Sequence, residues 1–281
     1  MIDKNQAFEL LEKLARELTA KEVDLPALPS VVLRLREELG NDAFDVDAIA
    51  RVIAAEPSLA GAVLSMGNSY LHRRIGKETL DLKVAIPRIG QVKLQALSLR
   101  FAVQQMKEVT SHPLVGGFLA AEWSMGRDVA AAAFLLARQT RAAHPDEAVV
   151  VGLLHNIGRI YLYSRAADHP ELFADPTGLR ELVDGWQANV GYAIAEAWQL
   201  PNDAITAFAV QAGVERPANH ALAHILMLAI NLADKTEDDA PERLMSMARH
   251  PSAIQLQLSV ADLATLQGEV EETRISLGLV D

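Results

Sequence analysis

VVVGLLHNIGRIYLY, residues 149–163, can be read as a strand or as a helix, and the choice decides the fold. With Ala148, its first half is the β-branched run AVVVGLL, a composition that favours strands. The run is short, does not alternate apolar with polar residues, and continues into an apolar pattern of helical spacing, so it is read as helix. With that stretch helical, no convincing alternating strand remains, and the chain is expected to be all-α, with about a dozen helices.

The flanking sequence agrees. Phe8, Leu11, Leu14 and Leu18 form one apolar stripe, and Val32, Leu35 and Leu39 form another after Pro29. DVDAIARVIAAE is a third helix, with Asp45 or Asp47 placed to cap it. Pro57 opens a fourth with Leu59, Val63 and Met66 on one face. Ser259 and Asp262 have the spacing of a capping box. Turn-forming residues cluster at LGNDAFD, TSHPLVGG, ADHPELFADPTG, GVERPAN and KTEDDAPER, and the SHPLVGG break near residue 113 is the best division between two halves.

Composition narrows the function. The chain has 281 residues, half of them hydrophobic, enough for a substantial core. Its formal net charge of −11 argues against broad nucleic-acid binding, which needs basic surface to displace counterions. Without cysteine there can be no disulfide, thiolate metal site or cysteine nucleophile. MIDKNQAFELLEKLAREL lacks an apolar signal core, and ALAHILMLAINLAD is too short and too interrupted to span a bilayer. A cytoplasmic protein is expected, with no membrane association.

Several motifs in one order carry a resemblance. Glu56-Pro57 precedes an apolar helix and the pair Asn68-Ser69. Ala85, Ile86, Ile89 and Gly90 fit A-I-x-x-I-G, GLLHNIG fits LLHDIG, and VGYAIAEAWQLP fits VG…L…W-x-LP. From about Leu25 to Asp234, this order closely resembles the HDOD family, helical output domains related to the HD phosphohydrolases. The resemblance implies a two-lobed, multi-helical HD-like bundle. The boundaries would be an N-terminal helix at 1–21, an HDOD N-terminal lobe at 22–112, an HD-like lobe at 113–235, and C-terminal helices packed on the core at 236–281.

HD enzymes, as the family implies, bind metal through a first His, a His-Asp doublet and a distant Asp. Carried over by position, the first His falls near Met125, the doublet on His155-Asn156, an additional His on Gln187, and a His pair on Gln211 and Ala212. The distant Asp is Asp234. Only His155 and Asp234 keep a metal-binding side chain, and catalytic sites rarely manage with fewer than three protein ligands. Arg159 adds positive charge beside the doublet, and no neighbour is seen to offset it. In metal-binding relatives a basic residue there contacts substrate phosphate, so Arg159 is kept as an anion contact.

The expectation is therefore a non-enzymatic HDOD signalling module with a vestigial pocket of His155, Asn156, Arg159, Asp234, Met125, Gln187 and Gln211. No catalytic residue and no cofactor are expected; if a metal binds, it does so at His155 and Asp234. Partners would be a signalling protein or a small phosphorylated ligand, with His72, Arg73 and Arg74 as a weaker partner or anion contact, and the sequence leaves the oligomeric state open. The alternative is a metal-dependent phosphohydrolase of nucleotides or cyclic dinucleotides, using Mn, Fe, Ni, Zn or Mg. His220 and His224 have metal-ligand spacing but no nearby carboxylate doublet.

Overall fold

Helix caps and glycine contacts explain where most elements begin and how they pack. The computed structural model describes residues 30–40, 44–68, 78–91, 93–95, 97–98, 101, 113–198, 200–234, 240–277 and 279, and among these there is no strand. The expected first helix at 1–21, Ser69, and the basic group His72, Arg73 and Arg74 lie outside them.

The described helices belong to two compact units. One lies within Pro26–Val109 and contains α1 (Ser30–Gly40), α2 (Val46–Ala54), α3 (Pro57–Asn68) and α4 (Leu82–Ile89). Asp45 caps α2 by accepting hydrogen bonds from the Asp47 and Ala48 amides, at 2.9 and 3.1 Å. Asp47 is left to pair with Lys83 across exposed surface. Leu59 and Val63 are buried as their spacing predicts, but the next turn buries Gly67 and leaves Met66 half-buried. There α3 meets α4, where a Cβ on Gly67 would lie 2.8 Å from the Ala85 Cβ. Asn68 ends α3 by exchanging two hydrogen bonds with the Thr79 backbone, at 2.8 and 2.9 Å.

The other unit, within Thr110–Asp281, carries the longer helices. Helix α5 (Pro113–Thr140) runs for 28 residues, straight through Gly116 and Gly117. The SHPLVGG cluster therefore marks a helix start, because Pro113 stands at the first helical position. Next come α6 (Pro145–Leu154), α7 (Ile157–Ala166), a 3-10 turn (Pro170–Ala174), α8 (Pro176–Ala197) and α9 (Asn202–Gln211). Then follow α10 (Ala221–Ala233), α11 (Ala240–Arg249), α12 (Pro251–Gln255) and α13 (Val260–Ser276). AVVVGLL is helical as read, with Val149, Val150, Val151 and Leu154 buried in α6. Ser259 and Asp262 form the capping box of α13, and Arg274 near its end pairs with Asp128 on α5. No described helix is long and apolar enough to cross a membrane.

Candidate functional site

His155 and Asn156 are not within one helix; they are the two-residue turn between α6 and α7. His155 and Arg159 therefore do not share a continuous helical face. Two glycines draw backbone tightly around the turn. A Cβ on Gly152 would lie 2.6 Å from the Ala130 Cα of α5. A Cβ on Gly158 would collide with the Gln187 carbonyl and lie 2.7 Å from the Gly191 nitrogen, both on α8. Gly158 is therefore a packing glycine.

His155 is buried, and its Nδ1–H donates to the Gly152 carbonyl at 2.8 Å. Burial, helped by the nearby Arg159 charge and opposed by the Gly152 bond, pushes its pKa down to about 4. The ring is thus neutral near pH 7, with the lone pair on Nε2.

Asn156 is 1% exposed. Its Nδ2 donates to the Glu122 carbonyl oxygen at 2.6 Å and to the Glu122 carboxylate at 3.0 Å. Its Oδ1 is buried without a donor, facing Gly126, whose Cβ position would be 3.6 Å away.

Glu122 overturns one sequence expectation: a neighbour does supply negative charge beside the doublet. Arg159 lies between Glu122, at 3.5 Å, and Asp184, to which it also hydrogen-bonds. With two carboxylates around it, its guanidinium is a poor receptor for another anion. Burial raises the Glu122 pKa above the ordinary carboxylate value, against the pull of Arg159 and the Asn156 bond.

Gln211 on α9 donates from Nε2 to the His155 carbonyl at 3.1 Å, and its Oε1 is buried without a partner. Met125 stands half-buried on α5, in the same turn as Glu122 and next to Gly126. Gln187 lies on α8, where its backbone meets Gly158. Asp234 caps the end of α10 and lines a cavity with Asn231, Arg243 and His250. None of the other predicted pocket residues lines that cavity.

The structure thus joins His155, Asn156, Arg159 and Gln211 through hydrogen bonds and ion pairs, and adds Glu122 and Asp184. Glu122 was within reach of sequence reading only as a lone acid in the apolar segment AAEWSMG. The HD fold implies a divalent metal here, and this donor set does not fit one. One imidazole and two amide oxygens bring no full charge, and the nearest carboxylate is already held by Asn156 and Arg159. Among the described residues no three His, Asp or Glu side chains are grouped to hold a metal ion.

His224, by contrast, is an ordinary core histidine. It is buried, its Nε2–H donates to the Ala218 carbonyl at 2.9 Å, and its Nδ1 lies 3.0 Å from the Ser252 hydroxyl.

Comparison with known proteins matches residues 25–214 to the HDOD domain family. A protein of Treponema pallidum (strain Nichols), itself uncharacterized, is 26% identical over 208 residues. That match covers 69% of this chain, and the chain spans only 38% of the relative's length. A proposed metal-dependent phosphohydrolase from Shewanella amazonensis SB2B has the same fold, with a TM-score of 0.73 and 21% identity over 96% of this chain and 99% of its own. A proposed signal transduction protein from Marinobacter aquaeolei VT8 superposes with a TM-score of 0.59 and 18% identity, over 97% of this chain and 66% of its own.

Proposed function

The chain belongs to the HDOD domain family, and from that premise we propose that it is a non-catalytic signalling module that acts by binding a partner. In this reading the HD-type pocket survives as a polar cluster that ties α5, α7, α8 and α9 together. One observation carries it: the Asn156 amide donates to both the backbone and the carboxylate of Glu122. Those two bonds occupy both Asn156 amide hydrogens without any cation, whereas an HD site needs a carboxylate at position 156. Arg159, between Glu122 and Asp184, supplies the positive charge that a metal would otherwise bring. Because Arg159 is so occupied, a protein surface is a better supported partner than a phosphorylated small molecule in this pocket. The fold is shared with both a proposed signal transduction protein and a proposed metal-dependent phosphohydrolase, so the reading rests on the side chains of this turn.

The test is elemental analysis of protein purified without chelator, combined with turnover of bis-p-nitrophenyl phosphate in added Mn²⁺. The expected result is metal far below one equivalent and hydrolysis at buffer background. Near-stoichiometric Mn, Fe, Ni or Zn, with turnover that disappears in His155→Ala, would establish the phosphohydrolase instead.

A further inference from the structure

The C-terminal half of α10, helix α11 and the residue capping α12 line an open-sided cavity of about 170 Å³, to which no residue of the His155 turn contributes. Leu228 and Met247 give it a buried apolar wall. Its polar lining is Asn231, Asp234, Arg243, Ser246 and His250. At roughly 30 Å³ per water, that is room for about five or six waters, or for one small ion with part of its hydration.

Arg243 decides what belongs there. A guanidinium is always charged and can only donate. The Nε and Nη1 of Arg243 are shut off from solvent and have no acceptor. Withdrawing charged donors from water without a partner is among the more costly ways to bury a polar group. The neighbours add donors. The Ser252 amide donates to His250 Nδ1 at 3.2 Å, which leaves the proton of a neutral ring on Nε2. Ser246 contributes a hydroxyl. Asn231 has committed one of its amide hydrogens to the Met227 carbonyl at 2.7 Å, and Asp234 has a partner of its own. The Asp234 carboxylate in the lining repels any anion, so Arg243 is the charge on which binding depends.

We propose that this cavity binds a small oxyanion, a carboxylate or a phosphate, held by the Arg243 guanidinium with help from His250 and Ser246. The test is thermal unfolding of the full chain in inorganic phosphate and, separately, in acetate, each against NaCl of matched ionic strength. Ring resonances of His250 are followed by NMR over the same titrations. A saturable rise in Tm with a saturable His250 shift is expected with at least one anion, since only ligands of the native state stabilise it. A response to phosphate alone identifies a phosphate site, and a response to acetate alone a carboxylate site. Arg243→Gln should weaken binding by about tenfold or more, through loss of the charge-assisted bonds. Arg216→Gln, which removes an exposed charge outside the cavity lining, should leave it unchanged. Unchanged binding in Arg243→Gln, or no saturable response to either anion, overturns the proposal. If Arg243→Gln does not fold, the wild-type His250 titration decides alone: immobile resonances reject the site. Metal content enters neither titration, so this test and that of the signalling reading fail independently.

Discussion

An aspartate and an asparagine differ at position 156 by one heavy atom, two hydrogens and one charge, and the neighbours determine which can be buried. Aspartate would place a carboxylate oxygen where Nδ2 now lies, 2.6 Å from the Glu122 carbonyl and 3.0 Å from its carboxylate. Two hydrogen bonds would become two repulsions at a residue 1% exposed. Asn156→Asp is therefore expected to destabilise the fold by about 3 kcal/mol at pH 7, measured by urea unfolding. Adding Glu122→Gln should recover part of the loss, because its amide can donate where the carboxylate could only accept. An unchanged midpoint, or one restored by Mn²⁺, would contradict the metal-free reading. The doublet itself was readable in the sequence because it is contiguous and its motif order is distinctive. Glu122 was not, because it reaches Asn156 only when α5 packs against the turn, 34 residues away along the chain. Nor was the occupation of Arg159, which depends on Asp184 from α8.

Helices meet around this turn because side chains are absent at the right places, and that sets a sharp contrast between two glycines of the same unit. A Cβ on Gly158 would strike the Gln187 carbonyl and the Gly191 nitrogen, backbone atoms that cannot rotate aside. Gly158→Ala should force α7 from α8 and cost about 3 kcal/mol or more. Gly185, inside α8, faces open space, and Gly185→Ala should instead stabilise by up to about 1 kcal/mol through helix propensity. Comparable losses in both variants would remove the close crossing as the cause. Helix identity was largely readable beforehand. Asp45 and the Ser259–Asp262 pair cap where their spacing predicted, since caps and apolar stripes are local properties. Two features escaped. Gly116 and Gly117 looked like punctuation, yet α5 continues through them. The break at His155-Asn156 is invisible in an unbroken apolar pattern, because it arises from the crossings at Gly152 and Gly158.

Folding stability of the whole chain should carry the signature of the buried polar cluster in its dependence on pH. His155 titrates near 4 in the folded protein against an ordinary 6.5. Between those values the unfolded chain takes up a proton that the folded one refuses, so stability falls as the pH is lowered through this window. The full difference is about 3 kcal/mol at 1.36 kcal/mol per pKa unit. Glu122 works in the opposite sense. Its folded pKa is raised above 4.5, so the folded protein holds a proton that the unfolded chain has released. That contribution is present at low pH and lost as the pH rises through the raised value. The two effects oppose each other where their windows overlap. Urea midpoints measured from pH 4 to 7 should therefore rise more steeply in Glu122→Gln than in the wild type. They should rise less steeply in His155→Gln, which removes the refused proton. A His155→Gln profile parallel to the wild type would mean that the imidazole is not held neutral by burial. The turn would then be more open to solvent than its contacts with Gly152 and Gln211 allow.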